Sequence, residues 1–143
     1  MVEITLRMVR EEELGTVWQM QQQVFAAPSQ AELRFVDSLA QIHWRFRHPQ
    51  NCYYFILRGS QRIGYCQLQR DKTGQRAQIR PLVLLPPFQR QGIGGQVLRL
   101  IEAQIPEIKV WSANTSQPAG GQQIFSRQGY QQISPDHWRK IRP

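Results

Sequence analysis

The chain has 143 residues and a mass of 16.8 kDa, enough for one domain with a real core and too little for two. A hydrophobic share of 41%, a charged share of 20% and the lack of any low-complexity tract exclude a largely disordered protein. No apolar run of about 18 residues is present, which excludes a helical membrane span. The formal charge of +8 is unevenly spread, because residues 1–50 balance at −1 and residues 51–143 at +9. No five-residue basic run appears, and Tyr53, Tyr54 and Tyr65 fall at strand positions, so a nucleic-acid-binding domain is the weaker expectation. Cys52 and Cys66 lack metal-type spacing and read as small buried thiols. With no basic and apolar leader in the sequence, the expectation is a cytoplasmic protein without a metal centre.

Val2, Ile4, Leu6 and Met8 alternate with polar residues and predict a first strand. Glu11, Glu12 and Glu13 suit a first helical turn, where carboxylates face the positive end of the helix dipole. Leu14, Val17, Trp18, Val24 and Phe25 follow at helical spacing up to Pro28. A second helix is expected from about Gln30, with Ser29 as its N-cap and Glu32 completing a capping box. Its apolar face would carry Leu33, Val36, Leu39, Ala40 and Trp44, leaving His43 and His48 as surface residues. Cys52 to Leu57 is a continuous apolar run, hence a strand covered on both faces. A turn at Arg58 to Gln61 returns the chain as a strand from Arg62 to Arg70, and a turn at Asp71 to Gly74 leads into a long strand ending at Leu85. Pro81 inside that strand removes a ladder donor and predicts a bulge or an edge.

Next comes Gln89-Arg90-Gln91-Gly92-Ile93-Gly94-Gly95, ahead of a helix patterned by Val97, Leu98, Ile101 and Ile105. Glycines at a helix start let free N–H groups face outward, and with the positive dipole end they form an anion site suited to phosphate. A polyanionic ligand there would account for part of the basic excess in this half of the chain. A Walker loop is excluded because Gln96 stands where Lys-Ser/Thr would be needed. A dinucleotide fingerprint is excluded by Val97 in place of a third glycine and by the missing carboxylate about 20 positions on, near Ser112. A fifth strand from Ile108 to Asn114, a short helix from Ala119 to Gln128 ended by Gly129, and strands at Tyr130 to Ile133 and His137 to Ile141 complete the order.

Leu84-Leu85-Pro86 followed by Gln89-x-x-Gly92-x-Gly94, and the later Phe125-Ser126-Arg127-Gln128-Gly129-Tyr130, resemble the two signatures of the GNAT acyl-CoA N-acetyltransferase superfamily. The order β, α, α, β, β, β, α, β, α, β, β resembles that family's as well. The resemblance implies an α+β (α/β) fold, with a mixed, mostly antiparallel sheet of six to seven strands and about four helices. It implies acetyl-CoA as cosubstrate, lying between parted fourth and fifth strands. Main-chain atoms of Leu82, Val83 and Leu84 would hold the pantetheine arm, and Gln89, Arg90, Gln91, Gly92, Ile93, Gly94 and Gly95 the pyrophosphate, with Asn114 past the fifth strand as a further contact. The implied reaction is direct attack of a primary amine, on a small molecule or a protein, by a monomer or homodimer.

The catalytic residues depart from the family's pattern. Where many relatives carry a tyrosine acid this chain has Phe125, and Ser126 beside it is a poor substitute. Gln78 and Arg80 stand where some relatives carry a glutamate base, leaving Glu32 and Asp37 as carboxylate candidates. A non-catalytic acyl-CoA-binding module is the alternative this raises. Arg80 also predicts an acceptor that is not a polycation.

Overall fold

A computed structural model describes residues 3–27, 36–114 and 121–142, with the backbone alone for residues 121–123. Seven strands form one sheet in the order β1-β2-β3-β4-β5-β7-β6. They are β1 (Ile4–Met8), β2 (Asn51–Arg58), β3 (Gln61–Arg70), β4 (Arg76–Leu84), β5 (Val110–Asn114), β6 (Gln131–Ser134) and β7 (His137–Ile141). Only β4 and β5 run parallel; every other neighbouring pair is antiparallel. The helices among the described residues are α1 (Leu14–Val24), α2 (Leu39–Arg47), α3 (Ile93–Gln104) and α4 (Gly121–Arg127). The expected fold class and element order are those observed.

The apolar run in β2 is explained by two cores, one on each face of the sheet. Tyr54 and Ile56 join Cys66, Leu68, Ile79 and Trp111 against α3 and Phe125 of α4. Tyr53 and Phe55 join Tyr65 and Val83 against α1 and Ile42 of α2. Alternate residues of one strand therefore serve opposite cores, which is why no polar residue interrupts it.

Two expectations about the first helices change. Glu11–Glu13 form a separate 3₁₀ turn ahead of α1, and Glu13 is clamped by Arg7 at 2.8 Å and by Arg62. Helix α2 begins at Leu39, not near Gln30, because Ser38 and Gln41 make the capping box: the Ser38 hydroxyl accepts the Gln41 amide at 3.1 Å, and the Gln41 side chain accepts the Ser38 amide at 2.7 Å. Val36 precedes this helix in irregular structure, while Ser29, Gln30, Glu32 and Leu33 lie outside the described residues. The face of α2 turned to the core carries Ile42 and Phe46, leaving Leu39 and Trp44 exposed instead of buried.

Pro81 marks a bulge, as its missing N–H requires. Cys66 pairs with Leu82 and Leu68 with Ile79, so Gln67 alone faces Arg80 and Pro81, which are joined by a cis peptide bond.

Candidate active site

Strands β4 and β5 are paired only from Arg76↔Val110 to Ile79↔Ala113. Among the described residues the pairing ends there, so that beyond the bulge Leu82 to Leu84 of β4 and Asn114 of β5 form the two arms of a fork, unpaired with each other. The main-chain direction along β4 can be read residue by residue. The Leu85 amide donates to the Ile63 carbonyl at 2.9 Å, and the Val83 carbonyl presses so close to Gly64 that a Cβ there would overlap it. Residues 83 and 85 thus address β3, and alternation turns the peptide groups of Leu82 and Leu84 into the fork. The Leu84 carbonyl accepts the Gln89 side-chain amide at 2.8 Å, which ties the following loop back to the strand. Cys66, opposite Leu82, is fully buried, and burial pushes its thiol up to about 12, so it is no nucleophile at neutral pH.

The loop reaches α3 through two left-handed residues, Arg90 at φ 62° and Gly92 at φ 79°, the second being the helix N-cap. The Gln91 side chain donates to the Pro87 carbonyl at 2.7 Å. Among the described residues, no amide from Arg90 to Gly95 finds a main-chain acceptor; the first helical amide to do so is Gln96, which reaches Gly92 at 3.4 Å. Among the described residues the donors at the mouth of α3 are therefore unspent by the main chain. The other two glycines serve a different purpose. Both are helical, and a Cβ at Gly94 would sit 2.9 Å from Ile124 of α4, while one at Gly95 would meet the Gln128 side chain at 3.0 Å. They let α4 approach α3, a packing role that Gly-x-Gly spacing alone does not distinguish from ligand approach.

The remaining sequence candidates are dispersed. Phe125 is buried, stacked on Trp138 at 6.1 Å and edge-on to Tyr130 at 5.4 Å, and belongs to the core. Ser126, next on the helix, is exposed on the side away from that cluster. Tyr130 bonds Glu102, which Lys140 also meets at 2.8 Å, pinning β7 and the end of α4 to α3. Glu32 lies outside the described residues. Asp37 is buried, and its carboxylate is held by Arg45 through Nε at 2.9 Å and Nη2 at 3.5 Å, with Arg80 at 4.0 Å. The residue that fixes Asp37 escapes sequence reasoning. It is Gln21 of α1, whose side chain donates to the Asp37 carbonyl at 2.6 Å and accepts the Asp37 amide at 3.0 Å. A glutamine among Gln19 and Gln21 to Gln23 gives no local sign of such a clasp.

A parted parallel pair, free amides at the helix mouth beyond it, and a helix carrying the second signature define a class of acyl-transfer proteins. The family model described as the acetyltransferase (GNAT) family matches residues 15–129, and the chain belongs to that family. A sequence comparison with curated proteins finds no match. The fold is similar to that of an aminoglycoside acetyltransferase in complex with ribostamycin and coenzyme A, at TM-score 0.78 and 12% identity over 98% of this chain and 94% of that one. It is also similar to the PaiA N-acetyltransferase of Thermoplasma acidophilum in complex with coenzyme A, at TM-score 0.76 and 17% identity over 97% and 99%. A spermidine N-acetyltransferase chimera from Vibrio cholerae and a human enzyme follows at TM-score 0.72 and 10% identity over 96% and 95%. Among the described residues no helix is long and apolar enough to cross a membrane.

Proposed function

We propose that the protein is an acetyl-CoA-dependent N-acetyltransferase that moves the acetyl group to a primary amine of a small molecule or protein. One observation carries this reading: among the described residues the amides from Arg90 to Gly95 find no main-chain acceptor at the mouth of α3, directly beyond a fork lined by the peptide groups of Leu82 and Leu84. The amides and the helix dipole would hold the diphosphate. Leu82 and Leu84 would pair with the pantetheine arm as a neighbouring strand does, Val83 would pack behind it, and Asn114 would face it from β5. Gln89 and Gln91 shape the loop through their side-chain bonds, and Gly92 supplies the left-handed turn. Bound acetyl-CoA supplies the activated acyl group.

Transfer forms a bond from the amine nitrogen to the acyl carbon and breaks the bond from that carbon to sulfur. The acceptor's ammonium gives one proton to solvent before attack, and the nitrogen loses a second after it; since Phe125 offers no proton, that second one reaches the departing thiolate through water, so that the net release is one proton. Proximity is then the main source of rate, worth up to about 7–11 kcal/mol in favourable cases. The same Phe125 favours a second reading, an acyl-CoA-binding module without turnover. Thermal denaturation with acetyl-CoA tests the shared part: ligand at 100 times its dissociation constant should add about 2.7 kcal/mol of stability. Gly92→Asp, which places a carboxylate at the diphosphate position, should abolish the shift. Mass spectrometry of products from an amine library then separates enzyme from module, and the absence of a shift would remove both.

A further inference from the structure

Helix α3 carries two charged side chains, Arg99 and Glu102, at the i, i+3 spacing where opposite charges on a helix ordinarily pair. Here they do not. Glu102 is only 9% exposed, and its two carboxylate oxygens are taken by Lys140 at 2.8 Å and by the Tyr130 hydroxyl at 3.3 Å. Arg99 is exposed, and among the described residues it makes no hydrogen bond or ion pair. Its side chain lies back along the helix instead, with Nη1 4.0 Å from the point that a Cβ on Gly95, one turn earlier, would occupy. The Gln128 side chain comes to the same glycine from α4, its Nε2 3.0 Å from that point, and its amide group is also without a hydrogen-bond partner among the described residues. A guanidinium over the first turn stands at the positive end of the helix dipole, where a cation is disfavoured. An anion seated beside Gly95 reverses that penalty and supplies the acceptor that both side chains lack.

We propose that Arg99 and Gln128 hold the 3′-phosphate of coenzyme A, so that the protein selects CoA over its 3′-dephospho form. The inference rests on the acetyltransferase reading and reaches past the loop that carries it, since neither residue belongs to the glycine signature. The main-chain amides from Arg90 to Gly95 already account for the diphosphate, which leaves this pair of side chains for the remaining phosphate. Its chemistry suits them. A phosphate monoester carries a charge of about −1.5 to −2 at neutral pH and three free oxygens, which a guanidinium fork meets two at a time.

The test is calorimetric titration of the intact chain with CoA and with 3′-dephospho-CoA, repeated on Arg99→Gln and Gln128→Ala, with urea unfolding to establish that each variant is folded. The parent should bind CoA about tenfold or more tighter than the dephospho form, the usual worth of hydrogen bonds to a charged group. Arg99→Gln should bind both ligands as the parent binds 3′-dephospho-CoA, and Gln128→Ala should narrow the preference by a smaller factor. Equal binding of the two ligands by the parent, or a preference that survives either substitution whole, overturns the inference. So does an equal loss of both ligands in Arg99→Gln, which would put the guanidinium on the diphosphate. In each of these outcomes CoA still binds and the acetyltransferase reading stands, whereas a parent that binds neither ligand brings down the reading and the inference together.

Discussion

Gly64 shows how a single residue can be indispensable without any local sign. In the sequence it is one small residue in a strand; in the fold its bare Cα is what lets the Val83 carbonyl sit against β3. A methyl group would overlap that oxygen and crowd the Leu84 Cα at 3.1 Å. Both contacts are backbone, so neither can swing aside. Gly64→Ala should therefore destabilise by about 3 kcal/mol or more, and urea unfolding within about 0.5 kcal/mol of the parent would contradict the close approach. Glu13 makes the opposite point, a residue whose type is legible in the sequence and whose partners are not. The sequence marks it as a dipole-facing carboxylate, but the Arg7 side chain first, then the Arg10 amide, with smaller help from Arg62, bring its carboxyl down to about 2. Because the folded value lies below the ordinary one, its stabilisation is present above about pH 4.5 and is lost as pH falls toward 2. Glu13→Gln should flatten that part of the acid-unfolding curve, and identical curves for variant and parent would exclude the clamp as a contributor. Phe125 is visible in the sequence as a departure, and its stacking on Trp138 gives the physical reason it serves as core.

At the scale of elements, strands are easier to read than the second helix. Apolar runs and glycine turns locate β2, β3 and β4 within a residue or two, and Pro81 announces its bulge because a missing donor has only a few accommodations. The capping rule, by contrast, fits both Ser29 with Glu32 and Ser38 with Gln41; the second pair closes, and the first lies outside the described residues. What decides is nonlocal: Gln21 clasps the backbone of Asp37 just ahead of Ser38 and holds it in irregular structure. Ser38→Ala should cost about 1 kcal/mol, the usual value of an N-cap. Gln21→Ala, which strands two buried main-chain groups, should cost about 1–3 kcal/mol. Chemical denaturation of each variant checks both, and a larger loss for Ser38→Ala than for Gln21→Ala would make the cap, and not the clasp, the stronger determinant of where α2 begins. The loop before α3 is legible as an anion site, but its glycines divide the work: Gly92 turns the chain, while Gly94 and Gly95 admit α4.

For the molecule as a whole, the succession of elements is readable and the sheet's seam is not. Local pattern gives each strand its place in the chain, whereas the insertion of β7 between β5 and β6 depends on contacts distant in sequence. One of these is the Glu102 cluster, in which Lys140 from β7 and Tyr130 from the end of α4 converge on one carboxylate of α3. A double-mutant cycle between Glu102→Gln and Lys140→Met should return a favourable coupling of about 0.5–3 kcal/mol, and a value of zero would show that the hairpin is held by its strand pairing alone.

The fork also gives β4 two unlike edges within the body of the sheet. Residues 83 and 85 turn toward β3, while Leu82 and Leu84 face a side where, among the described residues, no strand pairs with them. Deuterium exchange should therefore stutter along this stretch, quick at Leu82 and Leu84 and slow at Val83 and Leu85, in a pattern that a frayed terminus would not produce. Occupation of the opening by an extended ligand would even out the two rates, so the isotope record of four consecutive amides would report when the sheet has been completed by something other than protein.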